Sequence, residues 1–183
     1  MHIVFFYCCI PAYELFAYAE GEKMSGMFQK KALPKGGIPV LFIPGNSGSA
    51  KQVRSLASVA LRKALEMDKK YRTRFDFFAV DFDEELSALS GSVLKDQHEF
   101  VIKSIGHILG MYKKGAAGSP RSVVLIGHSI GGVVAKSVFL RYDWLTISFA
   151  IFSLHSVKNS IKYKIVHLLE TLLMLTLVVF FQC

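Results

Sequence analysis

Residues 122–132 constrain this chain more than any other stretch. Ser122-Val123-Val124-Leu125-Ile126 is a short apolar run, and its length and β-branched content predict a buried strand. It leads without a spacer into Gly127-His128-Ser129-Ile130-Gly131-Gly132, and Val133-Val134-Ala135 continues a helical pattern over residues 130–142. A turn this sharp from strand to helix holds its central serine in a strained backbone conformation, with the hydroxyl above the strand end. The residues two positions to either side must then be tiny, as Gly127 and Gly131 are. Ser129 is therefore the candidate nucleophile. The rival reading, a glycine-rich turn with a capping serine, accounts for the glycines but not for the strand and helix on its flanks.

The same alternation runs through the chain upstream. Residues 38–43 are apolar and fenced by Gly37 and Pro44, which predicts another buried strand. Pro39 fits only the first residues of a strand, or an edge. Ser49 with Gln52 three positions on is a candidate capping box, and Val53, Leu56, Ala57, Ala60, Leu61, Ala64 and Leu65 then recur at helical spacing. Residues 75–82 predict a third strand, ending in the acidic run Asp81-Phe82-Asp83-Glu84-Glu85, and residues 92–113 a second long helix. Strands alternating with helices over short connections imply parallel pairing and right-handed crossovers.

The predicted fold class is α/β, a partial α/β-hydrolase fold with an open, mostly parallel sheet and flanking helices in residues 37–142. Residues 1–36 form an N-terminal segment with a candidate edge strand at residues 13–18, between glycine-containing breaks at residues 21–26 and 34–37. Residues 1–10 are apolar but lack a basic start and a cleavage site, and are too short to span a bilayer. Residues 143–183 abandon the alternation and predict an apolar helical tail, with a candidate transmembrane helix about 161–181. Seventeen helical residues rise about 25 Å against a hydrocarbon core of roughly 30 Å. The lysines at 162 and 164 can snorkel to make up the length. A helix packed on a partner is the alternative for this tail.

Composition excludes more than it assigns. A chain 52% hydrophobic and 20% charged folds. Its net charge of +8 invites a nucleic-acid reading, but the basic residues are scattered at element ends, without a recognition helix or an aromatic-studded stripe. Solvation or attraction to anionic lipid heads explains them better, and no nucleic-acid partner is expected. Cys8, Cys9 and Cys183 give neither zinc spacing nor a disulfide framework, so no metal and no cofactor are expected.

A serine nucleophile needs an oxyanion hole, a base and an orienting acid. One oxyanion donor should be the N–H of Ile130, which follows the nucleophile; the other should come from the loop after the earlier strand. Pro44-Gly45-Asn46-Ser47-Gly48 is that loop, and the N–H of Asn46 or Ser47 is the candidate. It lacks the Gly-Lys-Ser/Thr sequel of a phosphate-binding loop. The acid and base are left unassigned. Asp143 and His155 stand in the right order, but Asp143 lies about 20 Å along the helix axis from Ser129. Glu170 and His167 sit in the apolar tail, and His128 fills the elbow.

The loop and its sequel are more specific than the elbow. Residues 37–49, then Lys51-Gln52-Val53-Arg54-Ser55, Phe75-Asp76-Phe77-Phe78, Asp83-Glu84-Glu85-Leu86 and residues 126–132 together resemble the GPI inositol-deacylase family. The likeness covers roughly residues 13–140. It implies a membrane enzyme of the endoplasmic reticulum that removes the acyl chain from the inositol of GPI anchors and promotes export of GPI-anchored proteins. By that resemblance Ser129 is the nucleophile, and GPI-anchored proteins and membrane lipid are the partners. Residues 143–183 do not look like the family's hydrolase continuation, as expected of an alternative isoform or an incomplete gene model. Two other readings stay open: a catalytically silent fragment that binds membrane or partners, and a soluble thioesterase or lipase.

Overall fold

Strands that bury side chains on both faces read as near-continuous apolar runs, and three here do. β3 (Gly37–Ile43), β4 (Arg74–Asp81) and β5 (Ser122–Gly127) pair in parallel at the centre of a six-stranded sheet. The computed structural model describes residues 2–7, 12–31, 33–34, 36–66, 74–85, 90–112, 119–138 and 177–182. β2 (Glu14–Ala19) lies antiparallel to β4, and β1 (His2–Tyr7) antiparallel to β2. β6 (Leu177–Gln182) lies antiparallel to β5, giving the order β1-β2-β4-β3-β5-β6.

The sheet is thus mixed, where a mostly parallel one was expected, because only two of its five pairings are parallel. The strand expected near residue 13 is β2, and it has a neighbour on each side instead of forming an edge. β1 has no counterpart in the sequence reading. Of the expected helical tail, residues 143–176 and 183 lie outside the described residues, while Leu177-Val178-Val179-Phe180-Phe181, mostly β-branched and aromatic, is strand. Among the described residues no helix is long and apolar enough to cross a membrane.

The helices divide between the two faces according to the two-residue period of the strands. Leu41, Ile43, Phe78, Val80, Val123 and Leu125 point to one face, beneath α1 (Glu22–Gln29), α3 (Gly91–Gly110) and α4 (Ile130–Ser137). Phe28, Phe100, Val101, Ile105, Ile108 and Val134 fill that layer. Val40, Phe42, Phe77, Ala79, Val124 and Ile126 point the other way, onto Val53, Leu56, Ala57 and Ala60 of α2 (Val53–Glu66). α1 runs through Gly26, where a break was expected; Phe28 buries fully against the sheet and outweighs the glycine's poor propensity. Pro39 pairs with Asp76 of β4, and the β5 ladder begins only at Val40, so the missing N–H falls outside that ladder.

Candidate active site

The three parallel strands end together, and the loops that leave them meet. β5 stops at Gly127, a single residue intervenes, and Ser129 caps α4 with φ 54° and ψ −123°. A β-carbon pays for this region of backbone space at roughly 1–3 kcal/mol, so the surrounding structure must impose it. It does so through the backbone. His128 N–H donates to Ile43 C=O at 3.0 Å, Gly131 N–H to His128 C=O at 2.9 Å, and Gly132 N–H to Ser129 C=O at 3.0 Å.

The glycines make the crossing possible. A Cβ on Gly131 would sit 2.4 Å from the carbonyl oxygens of both Ile43 and Pro44, and one on Gly127 would sit 2.5 Å from Gly132 N and Cα. A Cβ on Gly45 would come within 3.0 Å of Ser129 Cβ. The loop after β3 therefore lies against the elbow. Ser129 itself is exposed, and its hydroxyl makes no hydrogen bond among the described residues.

Ile130 is the first residue of α4, so its N–H belongs to the first turn, whose amides lack intrahelical acceptors. Asn46 and Ser47 sit exposed in a turn closed by Gly48 N–H donating to Gly45 C=O at 2.9 Å. The two amides expected from this loop are not equivalent. Ser47, at φ 51°, donates its N–H to Glu85 C=O at 3.3 Å. That amide is engaged by the acidic loop, and Asn46 remains a candidate donor of the loop. Ser49 does not form the expected capping box; its Oγ accepts from Lys51 N–H at 3.4 Å, starting a 3-10 turn, Ala50–Gln52, ahead of α2.

The residues weighed as acid and base, Asp143, His155, His167 and Glu170, lie outside the described residues. A different Ser–His pair does occur. His98 Nδ1 lies 2.7 Å from Ser137 Oγ, which donates its single proton to Val134 C=O at 2.7 Å. The pair braces α3 against α4, and Ser137 lies at the opposite end of α4 from the strand-to-helix corner. Among the described residues no cluster of His, Cys, Asp and Glu is built to hold a metal.

Sequence reasoning registered the acidic loop but gave it no role. Asp81 accepts from Ala50 N–H at 3.3 Å and from Asp83 N–H at 3.1 Å. Tyr13 donates its hydroxyl to the Glu85 carboxylate, and burial, then that hydrogen bond, push the phenol well above its ordinary pKa. Asp81 and Ala50 are 31 residues apart and Tyr13 and Glu85 are 72, separations that no local pattern signals.

The PGAP1-like alpha/beta domain family matches residues 34–154. The GPI inositol-deacylase of Mus musculus is 54% identical over 128 residues, 70% of this chain. That of Drosophila melanogaster is 47% identical over 130 residues, 71% of the chain, and that of Aspergillus oryzae 37% over 146 residues, 72% of the chain. The chain spans 13% of the length of each of these relatives.

Proposed function

The chain belongs to the GPI inositol-deacylase family marked by the PGAP1-like α/β domain, and from that premise we propose that it bears the nucleophile of a serine ester hydrolase acting on inositol-acylated GPI anchors. The observation that carries this reading is Ser129 at φ 54°, exposed at a strand-to-helix corner that glycines alone permit. Strain of this kind persists where the surroundings over-determine it, and such places cluster at active sites.

In this reading Ser129 Oγ attacks the acyl carbonyl of the inositol ester. The carbonyl oxygen gains negative charge and is met by the N–H of Ile130 and of Asn46, backbone dipoles of the kind that stabilise such charge. Collapse of the tetrahedral intermediate releases the inositol hydroxyl and leaves the acyl group on Ser129, from which water removes it. A base must accept the Ser129 proton, and an acid must orient it; neither is assigned among the described residues. The substrates are GPI-anchored proteins carrying the acylated inositol, the setting is the lipid of the endoplasmic-reticulum membrane, and deacylation promotes their export. The relatives' name supports the substrate, and the sequence resemblance alone supports the setting and the export role.

A second reading, a catalytically silent fragment that binds membrane or partners, draws on one observation: Ser129 Oγ has no hydrogen-bonded base among the described residues. A fluorophosphonate probe on the full chain in detergent separates the two. Labelling that disappears in Ser129→Ala, together with fatty-acid release from an inositol-acylated GPI, supports the hydrolase. A folded chain that takes up no probe and releases no fatty acid supports the silent fragment.

A further inference from the structure

The turn that offers Asn46 to the reacting oxygen is tied down by the neighbouring loop. That neighbour is the acidic run at the end of β4, and it holds the turn and the residues just after it at two points. Glu85 C=O accepts from Ser47 N–H at 3.3 Å, and the Asp81 carboxylate accepts from Ala50 N–H at 3.3 Å, where the 3-10 turn begins. The acidic loop is itself in an unfavourable conformation, with Asp83 at φ 54° and Glu84 at φ 56°. Two successive residues in the left-handed region need an external restraint to stay there.

Tyr13 supplies that restraint. The residue is 5% exposed, and its ring is held edge-on by Phe82 at 5.2 Å and by Phe100 at 5.5 Å. The hydroxyl of this fixed ring donates to the Glu85 carboxylate. Glu85 N–H also donates to Phe82 C=O at 3.2 Å, so the residue is caught at backbone and side chain together.

Building on the reading of Ser129 as nucleophile, we propose that Tyr13 and Glu85 are positioning residues, a latch that fixes the Glu85 carbonyl on Ser47 N–H and thereby holds the oxyanion loop, residues 44–48, against Ser129. Neither side chain touches substrate. The latch acts through one backbone hydrogen bond, and its loss lets the loop drift from the elbow. Misplacement of about 1 Å near a reacting centre lowers rates by up to about a hundredfold.

Three variants of the full chain test this: Tyr13→Phe, which keeps the ring and removes only the hydroxyl; Glu85→Ala, which removes the acceptor; and Glu85→Gln, which restores a neutral one. Amide hydrogen exchange at Ser47 and the kinetics of fluorophosphonate attachment to Ser129 are followed in each. In Tyr13→Phe and Glu85→Ala, Ser47 exchange should quicken about tenfold while amides of β3 and β5 keep their protection. The maximal rate of attachment should fall about tenfold with the probe's half-saturating concentration unchanged, because the oxyanion donor acts on the transition state. Glu85→Gln should lie within about twofold of the parent on both measures, since its amide oxygen still accepts the Tyr13 hydroxyl.

Unchanged Ser47 exchange in Tyr13→Phe overturns the latch. Quickened exchange with an unchanged attachment rate overturns its role in positioning. Should Glu85→Ala fail to fold, Tyr13→Phe decides alone. Ser47 exchange is readable whether or not Ser129 reacts, so a parent chain inert to the probe sinks the nucleophile assignment without obscuring the latch.

Discussion

At the N-terminal ends of the parallel strands the chain is fastened around one buried carboxylate; at their C-terminal ends it is fastened largely through loop backbone. Asp76, 1% exposed, accepts from Arg74 Nε at 2.8 Å, Arg74 Nη2 at 3.0 Å and Tyr112 Oη at 2.7 Å. Arg74 reaches on to Pro34 C=O, and Leu33 bridges Tyr112. This end satisfies a buried carboxylate completely. The other end holds Ser47, Asp83, Glu84 and Ser129, four of the five described non-glycine residues with positive φ. Here loop backbone bonds to loop backbone beside the Asp81 and Tyr13–Glu85 side-chain contacts, and glycines let main chains cross without side chains between them. One end stabilises the sheet, while the other holds a costly local conformation at the site where the chemistry is proposed.

The difference can be broken from either side. The largest effect should come from Asp76→Ala, which strands a guanidinium and a phenol that were paired with a buried carboxylate. Removing one partner of a fully buried ion pair costs about 3–5 kcal/mol, and the half-buried Arg74 puts this loss near the lower end. Urea denaturation should register that loss, with the Ser129 corner unaltered in the fraction that remains folded. Gly131→Ala should invert the pattern. Its Cβ meets two carbonyl oxygens at 2.4 Å, so β3 and the elbow must part, for about 1–3 kcal/mol of stability. Attachment of a fluorophosphonate to Ser129 should fall about a hundredfold with it.

A third effect sharpens the comparison through pH, because each end contains one buried tyrosine bonded to a carboxylate. Burial first, then Asp76, raises the Tyr112 phenol far above its ordinary pKa; burial and Glu85 do the same for Tyr13. A raised folded pKa leaves the stabilisation intact below the unfolded value, about 10, and removes it as pH climbs beyond. Stability should therefore decline above pH 10 by about 1.4 kcal/mol per pH unit for each tyrosine. Tyr112→Phe and Tyr13→Phe should each remove one share of that slope, as denaturation between pH 9 and 11 would show.

Legibility in the sequence followed the range of the interactions. The succession β3, α2, β4, α3, β5, α4 was readable because each element carries its own period and its own punctuation, such as Gly37 and Pro44 around β3. The elbow was readable because strand, serine and glycines are contiguous. What escaped depends on distant partners. The antiparallel additions of β1, β2 and β6 follow from pairings that no local pattern encodes, and α1 survives Gly26 through the burial of Phe28. Asp76 reads as a charge interrupting a buried strand until Tyr112, 36 residues on, closes over it. Ser47 looked equivalent to Asn46 because nothing near it in sequence foretells Glu85.

The central claim is that Ser129 is held in a conformation its own side chain disfavours, and the smallest of the expected effects tests it most directly. Ser129→Gly relieves roughly 1–3 kcal/mol of backbone strain. It gives back about 0.5–1 kcal/mol in unfolded-chain entropy. The urea midpoint should rise by the equivalent of about 1 kcal/mol, with Ser129→Ala, which retains a β-carbon, staying near the parent. A glycine variant less stable than both would mean that no strain is stored at this corner, and the account would lose its foundation.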